Sequence, residues 1–332
     1  MPARAQSRGE TVLKTCTCLA VRRASRAVSQ AYDEALAPQG ITSGQFTLLA
    51  QIKLRGQSTI SSLARRLVME RTTLTRNLRL LQDREMVALT EAAEDKRKRL
   101  VGLTDHGEVV LARAMPYWEA AQDQLMQRLG RNGWARALEA LERLIDDLRP
   151  KPTPKSSAPW PRVPASQETP WNASHLAPPQ IERLRGQLCL CTMLRRGARA
   201  VTKFYDDRLR PIGINVAQLH IIAAVEALPG TRVNDLIEVL TLDQTTLTRM
   251  LQRLTELEFL QRGRANDAHP GFRLIEPGRR AFALGFSGWE AAQSAGELLA
   301  APLQAQTHSV MGSVLSACGT APKRDQSEIR PQ

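Results

Sequence analysis

SSLARRLVMERTTLTRNLRLLQ, residues 61–82, reads as a short helix, a tight turn and a second helix. At 100° per residue, Leu78 and Leu81 fall within about 40° of Leu74, while Thr72, Arg76 and Arg79 lie on the opposite side. One face of the second helix is core and the other carries hydroxyls and guanidinium groups. Small Ala64 stands where the two helices approach, which suits a helix-turn-helix. Threonine hydroxyls and arginine forks reach phosphates and base edges in a major groove; a solvated helix face with a basic bias is the plain alternative. The residues that follow, EAAEDKRKRLVGLTDHG from 91 to 107, decide between the two. They predict a β-hairpin with strands over 87–91 and 99–103 and with Asp95-Lys-Arg-Lys-Arg99 at its tip, where a basic wing enters a minor groove or lies along phosphates.

The core of that helix, TTLTR, occurs twice, at Thr72–Arg76 and at Thr245–Arg249. An offset of 173 residues also superposes Cys16 and Cys18 on Cys189 and Cys191, Arg26 on Arg199, Tyr32-Asp33 on Tyr205-Asp206, and Gln45 on Gln218. After small shifts, WEAAQ at Trp118 answers WEAAQ at Trp289. The chain is a tandem duplication. Its predicted organisation is a first domain over 1–149, a linker over 150–179 in which nine of thirty residues are proline, a second domain over 180–318, and a disordered tail over 319–332. Trp160 and Trp171 stand in the linker. Within the first repeat, helices are predicted over 15–37, 43–55, 58–67, 70–86, 104–129 and 132–148, and the second repeats this order. The fold class is mainly α, with about six helices and one short hairpin per repeat.

Composition narrows the function. The 332 residues carry 46 Lys and Arg against 33 Asp and Glu, a net +13, so an anionic partner is expected. Double-stranded DNA is favoured over a membrane because no apolar run of about 20 residues occurs. The N-terminus leads into no apolar signal core, and a cytoplasmic location is expected. Five cysteines in such a chain are read as free thiols. No base and nucleophile are paired, so an enzyme is not expected. His106, His175, His220, His269 and His308 are scattered, and no metal or cofactor is expected.

The order of helices, with LxxLLQDREMV running into EDKRKRLVGLTDHG, resembles the MarR family of winged-helix transcription regulators, and the resemblance covers both repeats. It implies dimerisation through terminal helices and DNA binding by recognition helix and wing. In the first repeat that role falls on Arg71, Thr72, Thr73, Thr75, Arg76 and Arg79 and on Lys96, Arg97 and Lys98; in the second it falls on Thr245, Thr246, Thr248 and Arg249. The second repeat has Gln244 for Arg71, Gln252 for Arg79 and His269 for Arg97, so a weaker phosphate grip is expected there. Residues 1–150 hold 24 basic and 17 acidic side chains, residues 180–332 hold 19 and 15, which points the same way.

Two residues apart on one helix, Cys16 and Cys18 project about 200° from each other and neither chelate one metal nor close a disulfide. CLAVRRASRAVSQAY also resembles the segment of peroxide-sensing members, which implies redox roles for Cys18, Cys191, Tyr32 and Tyr205. Arg22 and Arg195 stand where that branch has a second tyrosine. Fourteen residues of helix rise about 21 Å, so Cys18 is expected to meet Tyr205, and Cys191 to meet Tyr32, with arginine lowering the thiol pKa. Plain packing of small residues is the alternative, as is a pocket for a small aromatic or phenolic effector. The resulting expectation is a repressor that works as an intramolecular pseudo-dimer, capable of further dimerising, and is released from DNA by such an effector or by an organic hydroperoxide. The competing expectation is a protein-interaction regulator whose second repeat no longer binds DNA.

Overall fold

The computed structural model describes residues 7–92, 95–148, 176–186, 189–263, 271–294 and 301–319. Trp160, Trp171, His175, His269 and most of the predicted linker and tail lie outside them. The first repeat runs α1 (Arg8–Thr15), α2 (Thr17–Leu36), a 3-10 turn, α3 (Ser43–Arg55), β1 (Ser58–Thr59), α4 (Ile60–Arg66), α5 (Arg71–Gln82), β2 (Val87–Ala92), β3 (Asp95–Leu103) and α6 (Asp105–Asp147). The second runs α7 (Pro178–Gly186), α8 (Leu190–Leu209), a 3-10 turn, α9 (Val216–Ala227), α10 (Val233–Leu240), α11 (Gln244–Glu256), β4 (Leu260–Arg262), β5 (Phe272–Leu274), α12 (Glu276–Ser294) and α13 (Ala301–Ala317). The fold is mainly helical, with one three-stranded and one two-stranded antiparallel sheet.

Many repeated residues are structural. Thr42 caps α3 and Asn215 caps α9, and in each a glutamine three residues on, Gln45 or Gln218, returns a bond to the cap backbone; this capping box satisfies two otherwise orphaned amides. The aspartates of the Tyr-Asp pairs serve the same helix starts, Asp33 accepting from Ser43 N at 2.5 Å and Asp206 from Val216 N at 2.8 Å. Gly40 and Gly213 take left-handed backbone before each cap. Tyr32 donates to Gln122 at 3.2 Å and Tyr205 to Gln293, which ties each Tyr-Asp pair to the glutamine of WEAAQ.

One expected boundary differs. The helix predicted over 15–37 starts earlier and is interrupted at Cys16, whose ψ of 109° is extended, so Cys16 is not helical and the 200° separation from Cys18 does not apply. The two helices expected over 104–129 and 132–148 are observed, since α6 is interrupted by a kink at Gly130, whose φ of 69° and ψ of 158° are not helical.

The described residues divide into two compact units that do not follow the repeats. One draws on Met1–Val28, Arg128–Asp147 and Gly197–Gln332, the other on Ser29–Gln127 and Leu148–Arg196. Within the former, α1 of the first repeat packs on α9 of the second. The approach is close at Gly9, where a Cβ would stand 2.3 Å from the Ala223 carbonyl oxygen and 2.3 Å from Glu226 Oε2. Glu226 accepts from Gly9 N at 2.7 Å and from Ser7 Oγ at 3.0 Å, so a carboxylate meets the amides of the α1 N-terminus, where the helix dipole favours it. Gly197 of α8 admits Leu141 and Val21, and Arg128 reaches the Ala317 carbonyl at 3.0 Å. Within the latter unit, α7 packs on α3, and Lys53 forms a largely buried ion pair with Glu108 at 2.5 Å.

The Gly9 approach sets a test. Gly9→Ala forces α1 off its bed and should cost about 1–3 kcal/mol, lowering Tm by roughly 2–12 °C at about 2–4 °C per kcal/mol. Gly312→Ala, in α13 with no atom within 4 Å of the added methyl, should raise Tm slightly because alanine is the better helix former by about 1 kcal/mol. Scanning calorimetry of both variants reads the difference.

Candidate nucleic-acid interface

In the first repeat, α4 is capped by Thr59, whose hydroxyl accepts from Ser62 N at 3.2 Å, and just beyond its end stands Val68, a non-glycine residue at φ 51°. Met69 N returns to the Ala64 carbonyl at 2.9 Å, which closes the turn. Leu74, Leu78 and Leu81 of α5 are fully buried, as their spacing predicts. Arg71, Thr72, Thr73, Thr75, Arg76 and Arg79 are exposed. The Thr75 hydroxyl bonds back to the Arg71 carbonyl at 2.8 Å, which occupies its donor.

The second repeat builds the same motif with different chemistry. Leu247, Leu251 and Leu254 are the buried stripe of α11, and Thr245, Thr248 and Arg249 are exposed while Thr246 is half-buried. Asp243 caps α11 by accepting from Thr246 N at 2.8 Å, and hydrogen bonds from Thr246 hold its carboxyl below the usual carboxylate range. Farther along, Glu256 accepts from Gln252 at 3.1 Å and pairs with Arg253 at 3.3 Å. The equivalent α5 position to Asp243 is Glu70, which makes no capping bond.

The wings differ as well. β3 pairs on one side with β2 and on the other with β1, with Glu91 opposite Arg99 and an irregularity between Glu91 and Ala92. Lys96, Arg97 and Lys98 belong to the strand β3 rather than to the hairpin tip, because pairing with β2 begins at Asp95. β4 and β5 pair over three residues each, and Thr231 adds a single bridge to Phe272. Gly271 fits there only without a side chain, since a Cβ would meet the Gly230 and Thr231 carbonyls at 2.1 and 2.2 Å.

In the same compact unit as α11, polar side chains gather around the α1–α2 break, some buried and some at the surface. Gln293 and Gln304 donate to the Thr15 carbonyl at 2.9 and 2.6 Å. Cys16 Sγ lies 3.3 Å from His220 Nε2, a pairing across 204 residues that nothing in the sequence signals. Thr17 Oγ1 is buried there without a hydrogen-bond partner, whereas the Trp289 indole reaches the Cys16 sulfur and the His308 ring the Thr15 backbone. Cys18 Sγ stands 3.9 Å from Thr202 Oγ1, which also accepts from Arg22 at 3.0 Å. Tyr205 is close enough to Cys16 and Cys18 that a thiolate at either would push its own pKa further up, beyond the effect of burial. Its hydroxyl, however, is committed to Gln293.

Burial pushes the Cys18 thiol well up, and Arg22 only partly opposes it, so the expected lowering by arginine is not the outcome: desolvation of the charged form outweighs one neighbouring cation. In the other unit, burial pushes Cys191 up to about 12, and its sulfur meets Ser29 Oγ at 3.8 Å. Arg195 donates to Ser43 at 3.2 Å. Trp118 stacks on Phe46 with centroids 5.5 Å apart, and Thr47, at the position of His220, contacts Thr192 at 3.4 Å. Among the described residues no group of three or more His, Cys, Asp or Glu could hold a metal, and no helix is long and apolar enough to cross a membrane.

Comparison with known proteins follows the duplication. MarR family models match residues 39–98 and 214–267. The transcriptional regulator MosR of M. tuberculosis, in a crystal structure with DNA, is 43% identical, with 35% of this chain and 84% of that chain covered and a TM-score of 0.33. A second MosR structure gives 37% identity, 39% and 92% coverage and 0.35. A cysteine-to-serine variant of E. coli MarR with operator DNA gives 26% identity, 38% and 89% coverage and 0.34. No curated protein matches. With one family match in each repeat, the chain belongs to the MarR family of winged-helix transcriptional regulators and carries two such units in tandem.

Proposed function

We propose that the chain binds an operator duplex with both recognition helices and acts as a repressor, one chain serving as a pseudo-dimer. The observation that carries DNA binding is α5, a helix with Leu74, Leu78 and Leu81 fully buried and its threonines and arginines turned outward, followed in the hairpin by the basic run of β3. That MosR and MarR, to which the repeats are similar, have been crystallised with DNA supports the same partner. Pairing within one chain is supported by compact units that each draw on both repeats. Arg253 tied to Glu256, and the Asp243 carboxylate at the head of α11, support a weaker phosphate grip in the second repeat.

Release from DNA, in this reading, follows binding of a small aromatic or phenolic effector at the cluster around the α1–α2 break. A buried hydroxyl without a partner costs about 1–3 kcal/mol, and an acceptor-bearing aromatic ligand would satisfy Thr17 Oγ1 beside the Trp289 and His308 rings. Release by oxidation of Cys18 or Cys191 is less well supported, because the thiolate is the form that reacts and burial holds both as thiols.

Three outcomes test these points. Light scattering of the free protein at micromolar concentration should return one chain mass, 36.8 kDa; a two-chain mass would place the pairing between chains. On a selected operator, log affinity should fall linearly with log salt at about −0.9 per phosphate neutralised, and Arg97→Ala should flatten that slope by up to about one unit while His269→Ala leaves it nearly unchanged at pH 7.5. Equal effects would show that the repeats share the DNA evenly. For the thiols, a pKa of about 12 at Cys191 leaves on the order of 10⁻⁴ as thiolate at pH 8. Alkylation there should therefore be slow, rise tenfold per pH unit through pH 10, and lag behind the half-exposed Cys189; fast labelling of Cys18 and Cys191 at pH 7 would restore the oxidant reading.

A further inference from the structure

The first half of α2 presents Arg22, Arg23 and Arg26 to the second repeat within one compact unit. Arg26 Nε donates to the Thr241 carbonyl at 2.5 Å, and Nη2 donates to the Leu240 carbonyl. Arg23 Nε donates to Thr241 Oγ1 at 3.2 Å, and the Glu238 carboxylate favours its charge. Leu240 ends α10 and Thr241 is its cap, in left-handed backbone at φ 50°. Carbonyls at a helix C-terminus have no partner inside the helix and form its negative pole, so a guanidinium that bridges two of them meets both needs at once. Asp243, two residues on, already begins α11.

We propose that Arg26, assisted by Arg23, is a positioning residue for the recognition helix of the opposite repeat: it clasps the turn between α10 and α11 and thereby sets the direction in which α11 presents Thr245, Thr248 and Arg249. The leucine stripe fixes which face of α11 is buried, but a helix seated by one stripe can still pivot about its first turn. The clasp removes that freedom. It also places the turn under the control of α2, whose Arg22, one turn earlier, shares the Thr202 hydroxyl with Cys18. The inference rests on the reading of α11 as a DNA-recognition helix.

The test uses the full chain and a duplex selected by the wild-type protein from a random-sequence pool. Hydroxyl-radical footprints of Arg76→Ala and Arg249→Ala assign each half-site to α5 or α11. Arg26→Gln should then weaken protection of the Arg249-dependent half-site tenfold or more and change the other less than twofold, with far-UV circular dichroism retained; Arg26→Lys, which keeps the charge but lacks the two-nitrogen fork, should fall between. Unchanged protection on both halves, or equal loss on both, overturns the proposal. Should Arg26→Gln not fold, Thr241→Val removes only the Arg23 acceptor, in a residue the first repeat tolerates as Val68 at φ 51°; a several-fold selective loss is expected, and none would sink the idea. Hydrogen exchange without DNA separates this failure from that of DNA binding itself. Faster exchange over 236–246 with α9 unchanged supports the clasp even where no duplex is selected, and unaltered exchange there rejects it.

Discussion

The seating of α1 on α9 is the contact from which the organisation of the molecule follows. Glycine at position 9 lets two helix backbones approach until the Ala223 carbonyl and the Glu226 carboxylate fill the place of a side chain. Once α1 is held there, the chain leaves it at Cys16 with an extended residue and enters α2 beneath the other repeat. Val12, Cys16, Cys18 and Val21 are all fully buried, which a separate N-terminal helix of this size would not achieve in water. The arginine contacts to α10 and the polar cluster around Thr15 both depend on that entry.

Duplication supplied two copies of each position, and the copies have separated where their surroundings differ. Glu226 receives a helix N-terminus, whereas its counterpart Lys53 is bound to Glu108. His220 meets a cysteine, whereas Thr47 meets a threonine. The same contrast holds on the outward faces, where α5 keeps free arginines and α11 spends Arg253 on Glu256. Opposite charges at one aligned position are compatible with one fold because each is satisfied locally, and a charge buried without a partner would cost several kcal/mol.

The helix-turn-helix was legible because its signals are local. The leucines of α5 repeat at helical spacing, and small Ala64 stands where α4 approaches α5. The hairpin was legible as well, although its basic residues proved to lie in β3, since a register cannot be read from charge alone. What the sequence does not display is pairing at a distance. Tyr205 and Gln293, Cys16 and His220, and Arg26 and Thr241 are separated by 88, 204 and 215 residues, and none leaves a periodicity to find. The thiol environment was misjudged for a related reason: the neighbouring arginine is visible in the sequence, but the depth of burial that outweighs it is made by helices of the other repeat.

The close approach at Gly9 also imposes an order on biosynthesis. At about 5–20 residues per second, roughly 10–40 s separate the emergence of α1 from that of its bed on α9, and during that interval its apolar face has no permanent cover. The lobe around α3 waits in turn for α7, made later still. Neither compact unit can close on a nascent chain carrying one repeat, so folding is governed by contacts of very long sequence separation, the kind that form slowly. A ribosome that stalls between the repeats would therefore release not half of a regulator but a chain whose helices lack their partners.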